Sequence, residues 1–248
     1  MKHILEICCD SVQSALNAMN SGADRIELCD NLIEGGTTPS CGTIAMIRDL
    51  LKIRMNVIVR PRGGDFLYDD PEYDIMMRDV EFCKRLGADG VVLGILQADG
   101  SIDIKRTAEI VKAAHPLPVT FHRAYDMTND PYKAIEDVIS TGATRLLSSG
   151  QKNKAAEGVH LLANLVKIAG DRLIVMPGSG LDDSNIEMIA RLTGAKEFHL
   201  TGRKIIESKM TFKKEDINMG GIPGLPEYSR KVADPELIVK VQNILNNI

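Results

Sequence analysis

The stretches LEICCDS, residues 5–11, and RIELCDN, residues 25–31, indicate most about how this chain folds. Each is a short apolar run in which a carboxylate and a thiol stand two residues apart. The four side chains concerned are Glu6, Cys8, Glu27 and Cys29. Side chains two apart on a strand point to the same face. If the two stretches are neighbouring parallel strands, these side chains form one patch, with Cβ atoms about 5 Å apart across the pair.

The same alternation of a short apolar run and a longer helical stretch continues along the whole sequence, which indicates βα units and a parallel sheet. Eight such units can be counted. The predicted strands cover residues 3–8, 25–29, 56–62, 90–95, 119–123, 145–149, 173–176 and 197–200. The predicted helices cover residues 11–20, 41–52, 71–86, 103–114, 131–140, 154–169, 183–192 and 234–246.

Residues at the helix ends support these boundaries. Ser11, Ser40 and Asp182 suit N-caps, and Pro71 and Pro131 suit first helical positions. A recurring turn, SGAD, LGAD, TGAT or TGAK, follows four helices and supplies a glycine for the left-handed residue after a helix. These glycines are Gly22, Gly87, Gly142 and Gly194. Eight units predict an α/β fold, a (β/α)8 barrel of the TIM type formed as a single domain over residues 1–248, with a doubly wound open sheet as the alternative.

Composition narrows the classes of function. The chain is 44% hydrophobic and carries a net charge of −4. A pI near 5.8 gives no basic surface for nucleic acid. No apolar run approaches the roughly 20 residues of a membrane span, and the N-terminus lacks a signal-peptide core. We therefore expect a cytoplasmic protein that binds neither nucleic acid nor membrane. Its five cysteines do not predict a disulfide framework.

Polar side chains concentrate at the carboxyl ends of the predicted strands, where barrel active sites are built. Besides the two pairs of carboxylate and thiol, they are Arg60, Arg62, His122, Arg123 and His199. Inward Glu and Arg can instead pair to hold barrel layers together, and a strand-end Cys can act as a small hydrophobe. The whole set favours a site, because so many charges in one barrel mouth are costly unless they bind something.

The loops predict an anionic ligand. In RPRGGDFLYDD, residues 60–70, two arginines precede a Gly-Gly turn, and arginine binds carboxylates and phosphates through its forked donors. After strand seven, Gly178, Ser179 and Gly180 precede a helix, so their backbone N–H groups would face an anion as in barrel phosphate sites. The segment TGR, residues 201–203, follows strand eight.

Three side chains are candidates for moving protons. His122, in TFHRAYD, could act as a general acid or base with Asp126 as its partner. Glu6 and Glu27 are the other two candidates. The simpler interpretation of His122 is a hydrogen-bonded core histidine.

Several long motifs occur in order along the chain: Glu6-Ile7-Cys8, GADRIELC, EGGTTPS, VRPRGGDF, PVTFHRAYD, SSGQK, MPGSG and EFH. Together they resemble the motifs of the CutC family of copper homeostasis proteins. The resemblance runs from strand one to at least the helix after strand eight. It implies a TIM-type barrel, a cytoplasmic location, homo-oligomers such as a dimer or tetramer, and the handling of copper. The departures are small: GSGL stands where the family tends to have GGGI, and SSG where LTSG-type strands are usual.

For Cys8 and Cys29 the resemblance implies a copper site, because Cu(I) is soft and favours thiolates. Arginines, a histidine and glycine-rich loops are unnecessary for that task and suit an anionic substrate better. The alternative is therefore a barrel enzyme of unknown reaction acting on a small phosphorylated or carboxylated metabolite. Its substrate-binding residues would be Arg60, Arg62, Arg123, Gly178, Ser179, Gly180 and His199.

A third interpretation is a scaffold protein whose barrel mouth binds nothing. The loop at residues 205–227 is rich in Met and Gly, including Met210, Met219 and Gly221. It is either a lid over the mouth or a connection covering the barrel end, and its Met residues are further candidates for soft ligands.

Overall fold

The computed structural model describes residues 2–214, 216–220, 222 and 224–248. Within these residues the strands are β1 (Ile4–Cys9), β2 (Arg25–Leu28), β3 (Arg54–Ile58), β4 (Gly90–Leu93), β5 (Val119–Phe121), β6 (Arg145–Ser148), β7 (Ile174–Pro177), β8 (Glu197–Leu200), β9 (Arg203–Glu207) and β10 (Ser229–Ala233). The helices are α1 (Val12–Asn20), α2 (Cys41–Leu50), α3 (Asp70–Arg85), α4 (Ile104–Ala114), α5 (Pro131–Ser140), α6 (Val159–Ala169), α7 (Ile186–Thr193) and α8 (Pro235–Asn246).

The first eight strands form one parallel sheet in the order β7-β6-β5-β4-β3-β2-β1-β8. Its two edges meet, because Gly178, just after β7, pairs in parallel with His199 in β8. The strands therefore close into a barrel, and neighbouring helices pack against one another around it. The predicted (β/α)8 barrel is confirmed. The doubly wound alternative is wrong, because an open sheet would leave β7 and β8 apart.

The main hydrophobic core lies between the barrel and the helices. On β1, Leu5 and Ile7 point outward into this core and are completely buried. Glu6 and Cys8 alternate with them and point into the barrel, where they meet side chains of β2 and β8. This alternation follows from the two-residue repeat of a strand. It leaves the inward face of β1 free to carry polar side chains without disturbing the helix-facing core.

The N-cap residues of the helices agree in part with those predicted from the sequence. Ser11 and Ser40 are N-caps as predicted, and each side chain accepts a hydrogen bond from the backbone N–H three residues on. The prediction for Asp182 is wrong. Asn185 occupies the position before α7, because the Asp182 carboxylate accepts instead from the backbone N–H of Ser184 in a local turn.

Several other boundaries also differ from the prediction, two of them by four residues or more. The third strand was expected at residues 56–62 but ends at Ile58, so the arginines that follow it lie in a loop. The sixth helix was expected from residue 154 but starts at Val159. The recurring glycine turn is confirmed, because its four glycines have φ values of +88°, +78°, +83° and +68°, which L side chains rarely adopt.

The C-terminal part adds an antiparallel hairpin, β9 with β10, that packs on α1. Asn17 Nδ2 of α1 donates to the carbonyl of Ala233 at 2.8 Å. Among the described residues from 205 to 227, none lines the cavity at the barrel mouth, so a lid in this position stays a prediction. Glu215, Gly221 and Pro223 lie outside the described residues. In the part of the chain that the structure describes, no helix combines the length and apolarity that a membrane crossing needs.

Candidate functional site

The carboxyl ends of the barrel strands surround a cavity of about 810 Å³, a size typical of small-ligand sites. Most of the site residues predicted from the sequence line it. These are Cys8, Glu27, Arg60, His122, Arg123, Ser179, Gly180 and His199. The other predicted residues, Glu6, Cys29, Arg62 and Gly178, are not part of its lining.

Cys8 and Cys29 bring their thiols together where β1 and β2 end. Their Sγ atoms are 3.2 Å apart, and both side chains are buried. The strand register explains this proximity, because β1 pairs Cys8 with Glu27 and the backbone N–H of Cys29 donates to the carbonyl of Cys9. A carboxylate oxygen of Glu27 and the two thiols all lie within 4.8 Å of one another. Three members of the predicted patch therefore meet at the mouth.

Apolar side chains surround the two thiols. Ile58 and Val92 pack against them, and Leu32 covers them in part. Cys8 lines the cavity, whereas Cys29 is 1% exposed and is not part of the cavity lining. A ligand that enters through the cavity would thus meet Cys8 first, with apolar side chains behind the thiol pair.

Both thiols are held in their protonated form. The hydrogen bond with Cys29 and burial raise the pKa of Cys8 well above its usual value. The hydrogen bond from Cys8 lowers the pKa of Cys29, but burial and the charge of Glu27 outweigh it, so this pKa is also raised. Metals bind the thiolate rather than the thiol. Metal binding at this pair must therefore release protons.

His199 on β8 lies between two buried carboxylates. Its Nδ1 is 2.8 Å from Oε1 of Glu6, and its Nε2 is 3.7 Å from Oε2 of Glu27. Burial lowers the pKa of His199, but the charge of Glu27, a hydrogen bond with Cys8 and the contact with Glu6 outweigh this effect and raise it well above 6.5. The ring is therefore an imidazolium beside the thiol pair.

The two carboxylates differ in their environment. Burial raises the pKa of Glu6, but the charge of Arg25 and the hydrogen bond with His199 outweigh it and lower this pKa to about 2. Glu27 lacks such a close arginine, and burial raises its pKa. Glu6 is thus a permanent anion below the mouth, while Glu27 is the more easily protonated of the two.

The sequence interpretation missed a group of charges one layer deeper in the barrel. Arg25 donates to Glu6 and, at 2.6 Å, to Glu197, and Arg145 donates to Glu197 at 2.8 Å. Arg25 and Glu197 each lie two residues before a predicted site residue on the same strand. This spacing of two residues could have predicted that the side chains of Arg25 and Glu197 also point into the barrel. They support the mouth from below rather than lining it.

Arg60 forms part of the cavity wall and is 3% exposed. Its two Nη atoms donate to the carbonyls of Glu34, Gly36 and Gly64 at 2.7, 2.8 and 2.7 Å. The guanidinium carbon lies 5.0 Å from the ring centroid of Phe66. None of the carboxylates in the described residues forms an ion pair with Arg60. This arginine is therefore a fixed positive charge in the wall.

Arg62, which was expected beside Arg60, points elsewhere. It donates to Glu72 near the start of α3 and lies 3.0 Å from Asp65. Its guanidinium packs over the ring of Tyr68. The two-residue alternation that predicted a shared face does not extend to Arg62, because β3 ends at Ile58.

His122 lies in the cavity wall with its ring buried. Its Nδ1 accepts a hydrogen bond from the N–H of Ala124 at 3.2 Å, which leaves the ring proton on Nε2. Among the described residues, Nε2 has no hydrogen-bond partner. The ring packs edge-on against Phe66, with centroids 5.0 Å apart. Burial and the positive charges of Arg60 and Arg123 lower the pKa of His122 to about 3.

We expect His122 to stay neutral at physiological pH. Its folded pKa of about 3 lies below the usual 6.5, so between these values the unfolded chain binds a proton that the folded chain does not. The contribution of His122 to stability is then complete above 6.5 and falls as the pH decreases toward 3. Two-dimensional ¹H–¹⁵N NMR of the imidazole nitrogens should show an unchanged Nε2–H tautomer while added free imidazole titrates. A midpoint near neutral pH would contradict the buried neutral ring.

Asp126 does not pair with His122 as the sequence interpretation expected. Its carboxylate accepts from Nε of Arg123 at 2.8 Å and from the hydroxyl of Ser148 at 2.6 Å. Arg123 also donates to the hydroxyl of Ser149 at 2.9 Å. Asp126 therefore orients Arg123, whose side chain remains 41% exposed and lines the cavity.

The GSG loop at residues 178–180 follows β7 as predicted. Ser179 has φ +81°, and its hydroxyl donates to the carbonyl of Asn153 at 2.7 Å, so this hydroxyl serves the loop itself. A Cβ on Gly178 would stand 2.4 Å from Leu147, so the close approach requires glycine. The loop does not lead directly into α7, because a separate turn intervenes.

The cavity therefore has two chemically different halves. The thiol half, at the ends of β8, β1 and β2, consists of Cys8, Cys29, Glu27 and His199. The arginine half, at the ends of β3 and β5, consists of Arg60, Phe66, His122 and Arg123. The thiol half combines soft sulfur donors with carboxylate, and the arginine half combines fixed positive charge with a neutral N–H donor.

Fold and site define a (β/α)8-barrel protein whose mouth brings two thiols and a carboxylate together. The chain belongs to the CutC family, whose model matches residues 3–204. A family protein CutC of Chromobacterium violaceum is 51% identical over 231 residues, which are 93% of each chain. The copper homeostasis protein cutC homolog of Homo sapiens is 44% identical over 245 residues, covering 99% of this chain and 90% of its own. The resemblance noted in the motifs is confirmed.

Solved structures agree with this assignment. The CutC protein from Streptococcus agalactiae aligns with a TM-score of 0.77 at 35% identity, covering 80% of this chain and 98% of its own. Phosphoribosylanthranilate isomerase from Thermotoga maritima aligns with a TM-score of 0.60 at 13% identity, covering 99% and 100% of the two chains. At that identity the second similarity shows a shared barrel fold alone.

Proposed function

We propose that this protein binds one Cu(I) ion through the thiolates of Cys8 and Cys29 and serves copper homeostasis in a reducing cytoplasm. The observation that carries the proposal is the pair of buried Sγ atoms, 3.2 Å apart, at the end of a ligand-sized cavity. Soft thiolate ligands select Cu(I) over harder ions. The human relative, named a copper homeostasis protein, supports the same ion.

The donor set fits a soft ion of low coordination number. Taking metal–sulfur bonds of about 2.3 Å, a linear arrangement would separate the two sulfurs by roughly 4.6 Å. The present separation of 3.2 Å must then open, which a rotation of Cys8 toward the cavity can provide. Glu27 offers a hard carboxylate oxygen, which is a poor competitor for a soft ion.

The charges around the thiols also support this function. Two thiolates with one Cu(I) carry a net charge of −1, which is costly in a buried site unless it is balanced. His199, protonated beside Cys8, supplies a positive charge at that place. We expect the binding of Cu(I) to displace the thiol protons while the imidazolium remains beside Cys8 and offsets part of this negative charge.

An anaerobic titration of the wild-type chain with Cu(I) against a chromophoric competing chelator tests the proposal. We expect one tightly bound ion per chain, with X-ray absorption showing sulfur neighbours. Zn(II), which prefers four ligands, should bind more weakly and serves as the comparison ion. Cu(I) binding no tighter than that of free cysteine would contradict the proposal. Assembly into a homodimer or homotetramer, implied by the family resemblance, remains a prediction that light scattering of the same samples checks.

A further inference from the structure

The arginine half of the cavity contributes no ligand to Cu(I). It nevertheless contains two buried polar side chains that each carry an N–H group without a partner among the described residues. Arg60 is one of them. A guanidinium buried to this degree is costly unless it is paired, and its partners are three neutral carbonyls and the face of Phe66. Carbonyls satisfy its Nη groups. Among the described residues, its Nε has no hydrogen-bond partner and its charge is not compensated by a carboxylate.

His122 is the second such group. Its ring is 4% exposed, and its Nε2–H finds no acceptor among the described residues. An unsatisfied buried donor costs about 1–3 kcal/mol. The contact with Ala124 holds the ring in the orientation that keeps this donor free. His122 is therefore a preformed donor in the wall of a ligand-sized cavity.

Arg123 completes the set. Asp126 and Ser149 hold its Nε and one Nη group, while 41% of its side chain stays exposed at the cavity. The ion pair with Asp126 fixes its direction without removing it from the cavity. The positive charges of Arg123 and Arg60 both act on His122, because each of them lowers the pKa of its ring.

We propose that the arginine half binds a small organic monocarboxylate, which accepts a hydrogen bond from Nε2 of His122 and pairs with Arg123 in the field of Arg60. The site is separate from the copper ligands and does not depend on them. Nothing in the copper proposal requires it.

The balance of charge selects a singly charged anion. In this half Arg60 and Arg123 are positive, Asp126 is negative and His122 is neutral, which leaves one positive charge. Two further acids line the cavity outside the thiol half: Asp65 pairs with Arg62, and Glu34 is exposed to solvent, which screens its charge. A phosphate dianion would exceed this charge, whereas a carboxylate matches it.

The lining also selects an apolar body for the ligand. The apolar side chains that line the cavity include Phe66, Leu67, Leu96, Met127 and Leu147. Ligand sites commonly combine such an apolar lining with a few polar groups that fix orientation. The ligand is thus expected to carry its carboxylate at one end of a short hydrocarbon or aromatic group.

The test uses benzoate and its uncharged analogue benzamide, with inorganic phosphate as a third probe, on the full-length protein. Binding is followed by ¹H–¹⁵N NMR, including the imidazole signals of His122. We expect benzoate to bind with a Kd of about 1 mM or tighter, as suits a ligand of this size, and to shift the Nε2–H signal. Benzamide and phosphate should bind at least about tenfold more weakly. Failure of benzoate to shift that signal at about 10 mM, or equal binding of benzamide, would overturn the proposal.

Variants separate binding from folding. His122→Phe keeps an aromatic ring but loses the donor, and we expect it to weaken benzoate binding by about tenfold or more. Arg123→Gln should have an effect of similar size and provides a second readout if the first variant does not fold. Arg172→Gln removes one charge from an exposed pair with Glu136 and should leave binding unchanged. Equal losses in His122→Phe and Arg172→Gln would contradict a local site.

A further variant separates this site from the copper site. In Cys8→Ser, benzoate binding should persist with a Kd within about twofold of the wild-type value, even though Cu(I) binding is lost. Loss of benzoate binding in this variant would contradict independent sites. Failure of the copper proposal alone would leave the benzoate result unaffected.

Discussion

Replacing either thiol of the pair, by Cys8→Ser or by Cys29→Ser, is expected to weaken Cu(I) binding by about 1000-fold or more. Loss of an outer-shell group around a metal typically costs about 10–100-fold in affinity, and loss of a direct ligand costs more. A hydroxyl is a hard donor that Cu(I) does not favour. The single remaining thiolate would then bind the ion no better than a free cysteine. The competition titration of each variant measures the loss.

The matched control is Cys41→Ser. This thiol is exposed at the first position of α2 and is not part of the cavity lining, so its replacement should leave the affinity and the stoichiometry unchanged. Circular dichroism of all three variants establishes that they are folded. Retention of tight binding in both Cys8→Ser and Cys29→Ser would remove the basis for a paired-thiol site.

The largest expected loss of stability comes from Arg25→Met. This change leaves two buried carboxylates, those of Glu6 and Glu197, without the guanidinium that pairs with both. Breaking a buried ion pair by removing one partner typically costs about 3–5 kcal/mol, because the remaining charge stays in a poorly solvated place. Urea unfolding of the variant should show a decrease of this size in the free energy of unfolding at neutral pH.

Two comparisons make this result specific. Arg172→Met removes an arginine from an exposed pair and should cost less than about 1 kcal/mol. Adding Glu6→Gln to Arg25→Met removes one of the two carboxylates that lost this guanidinium and should recover part of the loss, as coupled residues do in a double-mutant cycle. A small effect of Arg25→Met, similar to that of Arg172→Met, would show that the remaining contacts with His199 and Arg145 are enough to hold Glu6 and Glu197.

Much of the fold could be predicted because its signals are local. The apolar runs, the four glycine turns and the caps at Ser11 and Ser40 each depend on a few neighbouring residues. The eight repeats of a strand followed by a helix indicate a barrel. The misplaced cap at Asp182 shows the limit of this reasoning. An Asp whose side chain accepts a hydrogen bond from the nearby backbone of a turn gives the same sequence signal as the N-cap of a helix.

The thiol half was predictable for a similar reason. On adjacent parallel strands, a spacing of two residues is enough to place Cys8 beside Glu27 and Cys29, and the register of β1 with β2 bears this out. The arginines illustrate the opposite case. The same spacing predicted one face for Arg60 and Arg62, but the strand had already ended, so a loop conformation set their directions.

The sequence by itself determined the barrel, the inward face of each strand and the pairing of thiol with carboxylate, because all three follow from a two-residue repeat within regular strands. Only the tertiary structure decided which charged side chains meet across the barrel. The contact of His199 with Glu6, the network around Arg25 and the unpartnered Nε2 of His122 depend on barrel closure and on loop conformations. Barrel closure and loop conformations bring together residues that are far apart in the chain, and no local sequence pattern specifies these contacts.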